Sequence, residues 1–262
     1  GFKYVDQGNY VTVPLENSEN ISYLYSDSAT SCIVTIAVGL LDNGQTEGIS
    51  LAHLDSPACI QSFFSILKSN YQGEIYFYAQ GANPPDNETS KENSAALLDC
   101  LQDIQPLIKE KHLFLGEGKP NKDNRGDWGI NFSDKESLTV TNQPFALQLA
   151  DRDPTCGAQS LYCIMRRQEH PPVQLRDALS PFTFKEGIEL VDLASTYRRD
   201  HNDPQTAFTN IINLQNEAIR KMWSTTPEYE ADWFSDELKQ AACFTLNMIG
   251  NMTMCKQYLL EP

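Results

Sequence analysis

The alternation of apolar and polar residues predicts two neighbouring β-strands in the first quarter of the chain. Residues 33–39 and 48–54 are short runs rich in apolar and β-branched side chains. The polar segment LLDNGQTE lies between them and carries Asn43 and Gly44. Such runs, joined by residues that favour turns, are typical of an antiparallel hairpin. We therefore predict a hairpin from Ile33 to Leu54.

Further elements are predicted on both sides of this hairpin. Strand-like patterns occur at 8–15, 21–26, 74–79, 111–116, 128–132, 138–141, 145–149 and 161–165. We expect the last four to form two hairpins, 128–132 with 138–141 and 145–149 with 161–165. Apolar residues at helical spacing follow Asp55-Ser56-Pro57 and recur at 95–104, 205–223 and 234–258. Antiparallel pairs combined with mixed α/β units predict an α+β, layered α/β fold. We expect a central mixed, mostly antiparallel sheet with helices packed on it, followed by C-terminal helices.

The hairpin brings a thiol and an imidazole together. If it closes symmetrically near Asn43 and Gly44, so that the numbers of paired residues add up to the mid-eighties, Cys32 falls opposite His53 or one place from it. Side chains at opposed positions of neighbouring strands have Cβ atoms about 5 Å apart. A cysteine nucleophile needs a histidine base at such a distance, and we expect the two to form a thiolate–imidazolium ion pair. The alternative is that both residues are structural, since cysteine is usually a small buried hydrophobe.

The residues around this pair add candidate chemistry. The segment from Ser26 to Ser31 consists of small and hydroxyl residues, including Asp27 and Thr30. Its backbone N–H groups could stabilise an oxyanion, or the segment could be an ordinary Asx or Ser/Thr turn. Asp55 could orient the imidazole or bind a substrate amine. Asp55 or Ser56 is the expected N-cap of the helix that Pro57 begins, and for Asp55 we favour this structural role.

Composition narrows the classes of partner. The formal net charge of −15 argues against nucleic-acid backbones and anionic membranes. An acidic surface suits a basic or free-amine substrate, but it more often serves solubility. The seven cysteines are scattered, with no CxxC pair or Cys/His ligand cluster. We therefore expect reduced thiols in a cytosol and no zinc site. No apolar run of membrane-spanning length occurs.

Several stretches resemble a known enzyme family. Residues 26–32 (SDSATSC), the β run after them and residues 51–55 (LAHLD) are similar to the protein N-terminal asparagine amidohydrolases, which convert an N-terminal Asn to Asp. Residues 74–82 (EIYFYAQGA) resemble the strand and glycine turn after the first helix of that family. Residues 128–132 (WGINF) with 135–138 (KESL) resemble its later hairpin. The likeness runs through roughly residues 20–185.

The same arrangement also resembles bacterial chemoreceptor glutamine deamidases and, more distantly, deamidating toxins of the cytotoxic necrotizing factor type. In the chemoreceptor enzymes a hydroxyl residue six places before the cysteine assists the site, and Ser26 has that spacing from Cys32. The resemblance implies Cys32, His53 and Ser26 as catalytic residues. Ser31, Thr30, Asp27 and Asp55 are then candidates for oxyanion or substrate binding. No specificity residue can be matched.

These expectations define a function with two alternatives. We expect amide hydrolysis through a Cys32 thioester, with no metal or organic cofactor, acting on a protein or peptide that bears Asn or Gln. N-terminal Asn is the favoured substrate. The alternatives are a deamidase of an internal Gln or Asn, acting in a host cytosol if the protein is a secreted bacterial effector, and an inactive binding module on the same scaffold.

The residue pattern of the chain changes near Pro181, where amphipathic helical patterns replace strand patterns. We therefore predict two parts, a deamidase-like domain over residues 1–185 and a helical extension over residues 186–262 packed on it. Such helices usually contribute to the core, and the alternative is that they gate the site or recognise a partner.

Overall fold

The computed structural model of the protein describes residues 1–18, 20–121, 126–142, 153–166, 175–197 and 211–260. The strands are β1 Phe2–Tyr4, β2 Asn9–Pro14, β3 Tyr23–Ser26, β4 Ile33–Leu40, β5 Thr46–Leu54, β6 Ile75–Gly81, β7 Ile108–Leu115, β8 Trp128–Asn131, β9 Thr139–Thr141 and β10 Arg176–Asp177. The α-helices are α1 Pro57–Asn70, α2 Glu88–Asp103, α3 Ala158–Arg166, α4 Phe184–Tyr197, α5 Asn216–Trp223 and α6 Phe234–Leu260. Short 3₁₀ turns lie at Leu15–Asn17, Gln105–Leu107 and Pro227–Tyr229.

The strands form two sheets. The larger has six strands in the order β10-β2-β5-β4-β6-β7, and the smaller has four in the order β1-β3-β8-β9. In the larger sheet the three central pairings are antiparallel and the two outer pairings are parallel. This confirms the predicted α+β class with a mixed, mostly antiparallel central sheet. Two of the three predicted hairpins, β4–β5 and β8–β9, are also confirmed.

The two faces of the six-stranded sheet pack against different layers. Ile33, Ala37, Ala52 and Leu54 lie on the face covered by helices α1 and α2, together with Ile60, Phe63, Leu67, Leu97 and Leu101. Val34, Ile36, Ile49 and Leu51 lie on the opposite face, in one cluster with Leu24, Trp128 and Ile130 of the smaller sheet. The central strands are therefore buried on both sides, which explains their nearly continuous apolar sequences.

The register of the β4–β5 hairpin differs from the expected pairing of Cys32 with His53. A bulge between Gly39 and Leu40 shifts the pairing by one residue, so that Val34, rather than Cys32 or a residue next to it, lies opposite His53. The one-residue shift has a consequence because side chains on successive residues point to opposite faces. With the observed register, Cys32 and His53 belong to the same face of the sheet.

One predicted hairpin is wrong. Residues 161–165, expected to be a strand, lie inside helix α3. Ala158, Leu161 and Met165 repeat at helical spacing, and all three are buried. The short apolar run therefore belongs to a helix. This helix begins at Ala158, three residues before the predicted strand. The partner predicted for it, residues 145–149, lies outside the described residues.

The chain divides into two compact units. The first comprises residues 1–146, 174–179 and 228–230, and contains both sheets with α1 and α2. The second comprises residues 147–173, 180–227 and 231–262, and its core contains buried residues of α3, α4, α5 and α6. The predicted division between residues 185 and 186 stays a prediction. In the described parts of both units, no helix combines the length and the apolar character needed to cross a membrane.

Gly81 closes the strand next to Cys32 and has a backbone that other residues avoid. Its φ is +140°, and an added Cβ would lie 2.1 Å from the carbonyl oxygen of Cys32. We expect Gly81→Ala to lower the free energy of unfolding by on the order of 3 kcal/mol, through backbone strain and a clash. Chemical denaturation measures it. Gly44→Ala is the control, because Gly44 also has a positive φ but open space around it, so only about 1 kcal/mol is expected. Equal losses in both variants would contradict the crowding at Cys32.

Candidate active site

His53 lies next to the last residue of β5 and is only 4% exposed. Its Nδ1 atom is 2.7 Å from Oγ of Ser26. Ser26 is the last residue of β3 and is itself fully buried. Because β3 belongs to the smaller sheet and β5 to the larger one, this hydrogen bond joins the two sheets at their carboxyl-terminal strand ends. It also fixes the orientation of the imidazole ring.

The second ring nitrogen of His53, Nε2, is buried and has no hydrogen-bond partner among the residues that the structure describes. A neutral imidazole has one N–H donor and one lone-pair acceptor. In the tautomer with the proton on Nδ1, His53 donates to Ser26, and the lone pair lies on Nε2. A buried polar atom without a partner is rare in folded proteins and often marks a functional site.

The environment of His53 favours the neutral imidazole. Burial lowers the pKa of His53 from 6.5 to about 4, although the carboxylates of Asp27 and Asp55 act in the opposite direction. Burial is the larger effect, because an imidazolium would lose its hydration inside the protein. His53 is therefore a neutral base at pH 7, with its lone pair available.

Cys32 immediately precedes β4 and is a half-buried, reduced thiol. Its carbonyl oxygen accepts a hydrogen bond of 3.0 Å from Ala82 N, which extends the β4–β6 pairing by one step. Its side chain packs against the cluster between the two sheets, on the same side as Val34. Since Val34 is the direct partner of His53, Cys32 and His53 occupy diagonal positions, for which a spacing of about 7–8 Å is usual.

The thiol and the imidazole are not hydrogen-bonded to each other in this structure. Nδ1 of His53 contacts Ser26, and Nε2 has no partner in the described part of the chain. Ser26 therefore holds the base, His53, in place, and the nucleophile, Cys32, lies at a diagonal position on the neighbouring strand. Catalytic contacts of this kind often tighten only when substrate binds.

Both carboxylates expected at the site are buried and held by neighbouring side chains. The hydroxyl of Tyr4 donates to Oδ1 of Asp27 at 2.8 Å. Nε2 of Gln7 donates to Oδ2 of Asp55 at 3.1 Å.

The favoured capping role of Asp55 is wrong. Ser56 is the N-cap of α1 and accepts from the N–H of Cys59, so the Asp55 carboxylate acts on His53 electrostatically instead.

Thr30 and Ser31, the other two predicted residues, are buried and their backbone is held on both sides. The carbonyl of Thr30 accepts from Asn83 N at 2.8 Å. The carbonyl of Ser31 accepts from Nδ2 of Asn93 at 3.0 Å. The same Asn93 amide donates to the carbonyl of Asp55 at 3.3 Å. Asn93 therefore ties the residue before Cys32 to a residue just after His53.

Sequence reasoning missed Asn93, although a signal was present. Asn93, Leu97 and Leu101 are spaced four residues apart, and all three are buried on the inner face of α2. An asparagine in an apolar stripe must find hydrogen-bond partners inside the protein. Tyr4 and Gln7 were also missed, and nothing in the local sequence links them to the site. Their contacts arise only when β1 and the turn after it pack beside β3 and β5.

The comparison with known proteins finds no protein-family model and no curated protein that matches this chain. Within the described residues, no group of three or more His, Cys, Asp or Glu side chains is arranged to hold a metal ion.

Proposed function

We propose that the protein is a cysteine-dependent amidohydrolase that releases ammonia from a side-chain carboxamide of a protein or peptide. The observation that carries this proposal is the 2.7 Å contact between Ser26 and Nδ1 of His53. In the tautomer with the proton on Nδ1, this contact leaves Nε2 as a buried base, and His53 lies on the same sheet face as Cys32. Nucleophile, base and orienting group are the three parts that covalent amide hydrolysis needs.

The protonation state of His53 determines how the thiol is activated. A preformed thiolate–imidazolium pair, the mechanism expected from the sequence, is disfavoured because burial lowers the pKa of His53 to about 4. Neutral His53 instead acts as a general base. Nε2 takes the proton from the thiol of Cys32 as sulfur attacks the carboxamide carbon, so that the charge forms only during the reaction.

The remaining steps use the same two residues. The imidazolium of His53 gives its proton to the amide nitrogen, ammonia leaves, and a thioester to Cys32 remains. A water molecule that loses a proton to His53 then attacks the thioester, which releases a carboxylate and restores the thiol. Backbone N–H groups at residues 31 and 32 are the proposed oxyanion donors. No step requires a metal or an organic cofactor.

The substrate that we propose first is an N-terminal asparagine, converted to aspartate. Support comes from the buried carboxylates of Asp27 and Asp55, whose charges act on His53. An α-ammonium group would be attracted to this region, because opposite charges interact strongly in a buried environment. We also propose a cytosolic location, because the scattered cysteines of the sequence are typical of reduced thiols.

Ammonia release from short peptides tests the proposal. Peptides that begin with Asn are compared with the same peptides N-acetylated, and with peptides that carry an internal Asn or Gln. Turnover of the free-amine peptide alone supports the N-terminal asparagine substrate. Equal turnover of the acetylated or internal peptides would favour the internal deamidase. No ammonia from any peptide, with Cys32 reacting with iodoacetamide no faster than a free thiol, would favour the binding module.

Ser26→Ala removes the group that orients His53. We expect kcat to fall roughly 10–100-fold, because the ring loses its anchor and Nδ1 becomes a buried donor without a partner. Ser26→Thr keeps the hydroxyl and should retain most of the activity. Ser65→Ala is the control, since Ser65 is an exposed residue of α1 whose hydroxyl only contacts the backbone of Gln61. Unchanged kcat in Ser26→Ala would contradict an orienting role for Ser26.

A further inference from the structure

A concave surface lies on the same face of the larger sheet as Cys32. It has a volume of about 330 Å³, and its lining includes Tyr78, Gln80, His112, Phe114, Glu117 and Trp128. All of these residues belong to the first compact unit. We refer to these six residues as the aromatic pocket. None of them is among the residues that carry the proposed chemistry.

The strand register places the aromatic pocket beside the nucleophile. Gln80 of β6 lies directly opposite Val34 of β4, and Val34 lies two residues after Cys32. Phe114 of β7 lies opposite Gln80. Standard sheet spacings put Phe114 roughly 12 Å from Cys32, two strands across and two residues along. From the smaller sheet, Trp128 is the direct strand partner of Ser26. The pocket therefore begins next to the candidate active site.

The walls of the aromatic pocket are four rings in mutual contact. The rings of Tyr78 and His112 stack with centroids 4.9 Å apart. Trp128 contacts Tyr78 edge-on at 6.4 Å and Phe114 edge-on at 6.0 Å. Phe114 is 42% exposed. These contacts hold a rigid aromatic surface that is open to solvent on one side.

The charges at the pocket are those that attract a cation. Glu117 is exposed and lines the pocket, and Glu110 lies within 3.4 Å of His112. The faces of aromatic rings bind ammonium and guanidinium groups. The same sheet face provides an internal example, because Lys109 Nζ lies 5.8 Å from the ring centroid of Tyr76. The formal net charge of −15 also attracts cationic substrates to the protein as a whole.

We propose that the aromatic pocket is a specificity subsite for an arginine or lysine side chain of the substrate, one or two residues from the carboxamide that Cys32 attacks. This inference rests on the proposed amidohydrolase activity, because the position of the basic residue is counted from the reacting amide. Each residue of an extended peptide spans about 3.3 Å, so a long basic side chain reaches the pocket from either position. A leucine would make the aromatic contacts without the charge, and a glutamate would be repelled by Glu117.

The test compares peptides of the form Asn-Xaa-Xaa with arginine, leucine or glutamate at the second or third position. We expect kcat/KM to be roughly tenfold higher with arginine than with leucine, and lower still with glutamate. In the double variant Phe114→Ala/Glu117→Gln the preference for arginine over leucine should fall to within about twofold. The control double variant Phe184→Ala/Glu88→Gln removes an exposed phenylalanine and an exposed glutamate elsewhere.

Failure of the subsite and failure of the enzyme are distinguishable. Equal turnover of the arginine and leucine peptides, or a preference for glutamate, would overturn the subsite and leave the amidohydrolase standing. If no peptide releases ammonia, calorimetric titration with the free-acid peptide Asp-Arg-Arg decides. Binding that is lost in Phe114→Ala/Glu117→Gln but kept in the control supports the subsite. Equal affinity of both variants, or no binding at all, overturns it.

Discussion

Cys32→Ala is expected to reduce ammonia release to the uncatalysed level, a loss of at least about 10⁴-fold in kcat. The thiol of Cys32 supplies the only nucleophile of the proposed mechanism, and His53 cannot activate a methyl group. The measurement is ammonia released from an Asn-initiated peptide at pH 7. A mass spectrum of acid-quenched wild-type protein taken during turnover should also show an acyl adduct on Cys32, which the variant lacks.

A matched control separates loss of chemistry from loss of structure. Cys100 on α2 is also a half-buried, reduced thiol, and burial raises its pKa, as do the carboxylates of Asp103 and Asp99. A higher pKa makes it a poor nucleophile at pH 7. Cys100→Ala should therefore keep full activity. Both variants should unfold within about 1 kcal/mol of the wild type, because removing one sulfur from a half-buried site leaves a small defect. Retention of more than a tenth of the activity in Cys32→Ala would end the nucleophile assignment.

The sequence was sufficient to predict the elements that carry the site. Alternation of apolar residues identified β4 and β5, and the Pro57 start with its apolar spacing identified α1. The register of the hairpin was not predicted, because the sequence analysis did not include the bulge between Gly39 and Leu40, which shifts the pairing by one residue. That one-residue shift determines whether Cys32 and His53 lie on the same face of the sheet.

The chemical environment of the site was less predictable than its residues. Cys32, His53 and Ser26 were all named from the sequence, and the structure brings Ser26 into contact with His53. The burial of His53 comes from the smaller sheet, whose strand β3 lies over the end of β5, and no local pattern near His53 contains this information. Tertiary packing alone therefore changed the expected thiolate–imidazolium pair into a neutral base.

The interpretation of Asp55 shows the same limit. Its position before Ser56 and Pro57 suits a helix cap as well as Ser56 does. The structure assigns the cap to Ser56 and directs the Asp55 carboxylate to Gln7. Gln7 lies 48 positions earlier in the chain, and a contact over that separation is set by how the strands assemble. Local capping preference could not discriminate between the two neighbours.

His53→Gln is expected to lower kcat by roughly 10²–10⁴-fold, the usual contribution of a general base. In the wild type, kcat/KM should stay high down to about pH 5 and fall only as His53 becomes protonated near its pKa of about 4. An unperturbed histidine would lose activity near pH 6.5. The measurement is the pH profile of ammonia release. An acid limb near 6.5 would mean that His53 reaches solvent, or pairs with a thiolate, in the active state.

The same lowered pKa has a consequence for stability with a defined sign. The pKa of His53 is about 4 in the folded protein and about 6.5 in the unfolded chain, so between these values the unfolded state binds more protons. The stability linked to His53 is therefore full above pH 6.5 and is lost as the pH falls toward 4, by about 3 kcal/mol in total. The measurement is the free energy of unfolding at pH 7 and pH 4. The decrease in this free energy should be larger in the wild type than in His53→Gln by about that amount. Glutamine does not titrate, and the two proteins have the same carboxyl groups, so the titration of those groups cancels in the comparison. Parallel pH dependence of the two proteins would show that the imidazole is not buried in its neutral form, and the general-base mechanism would lose its physical basis.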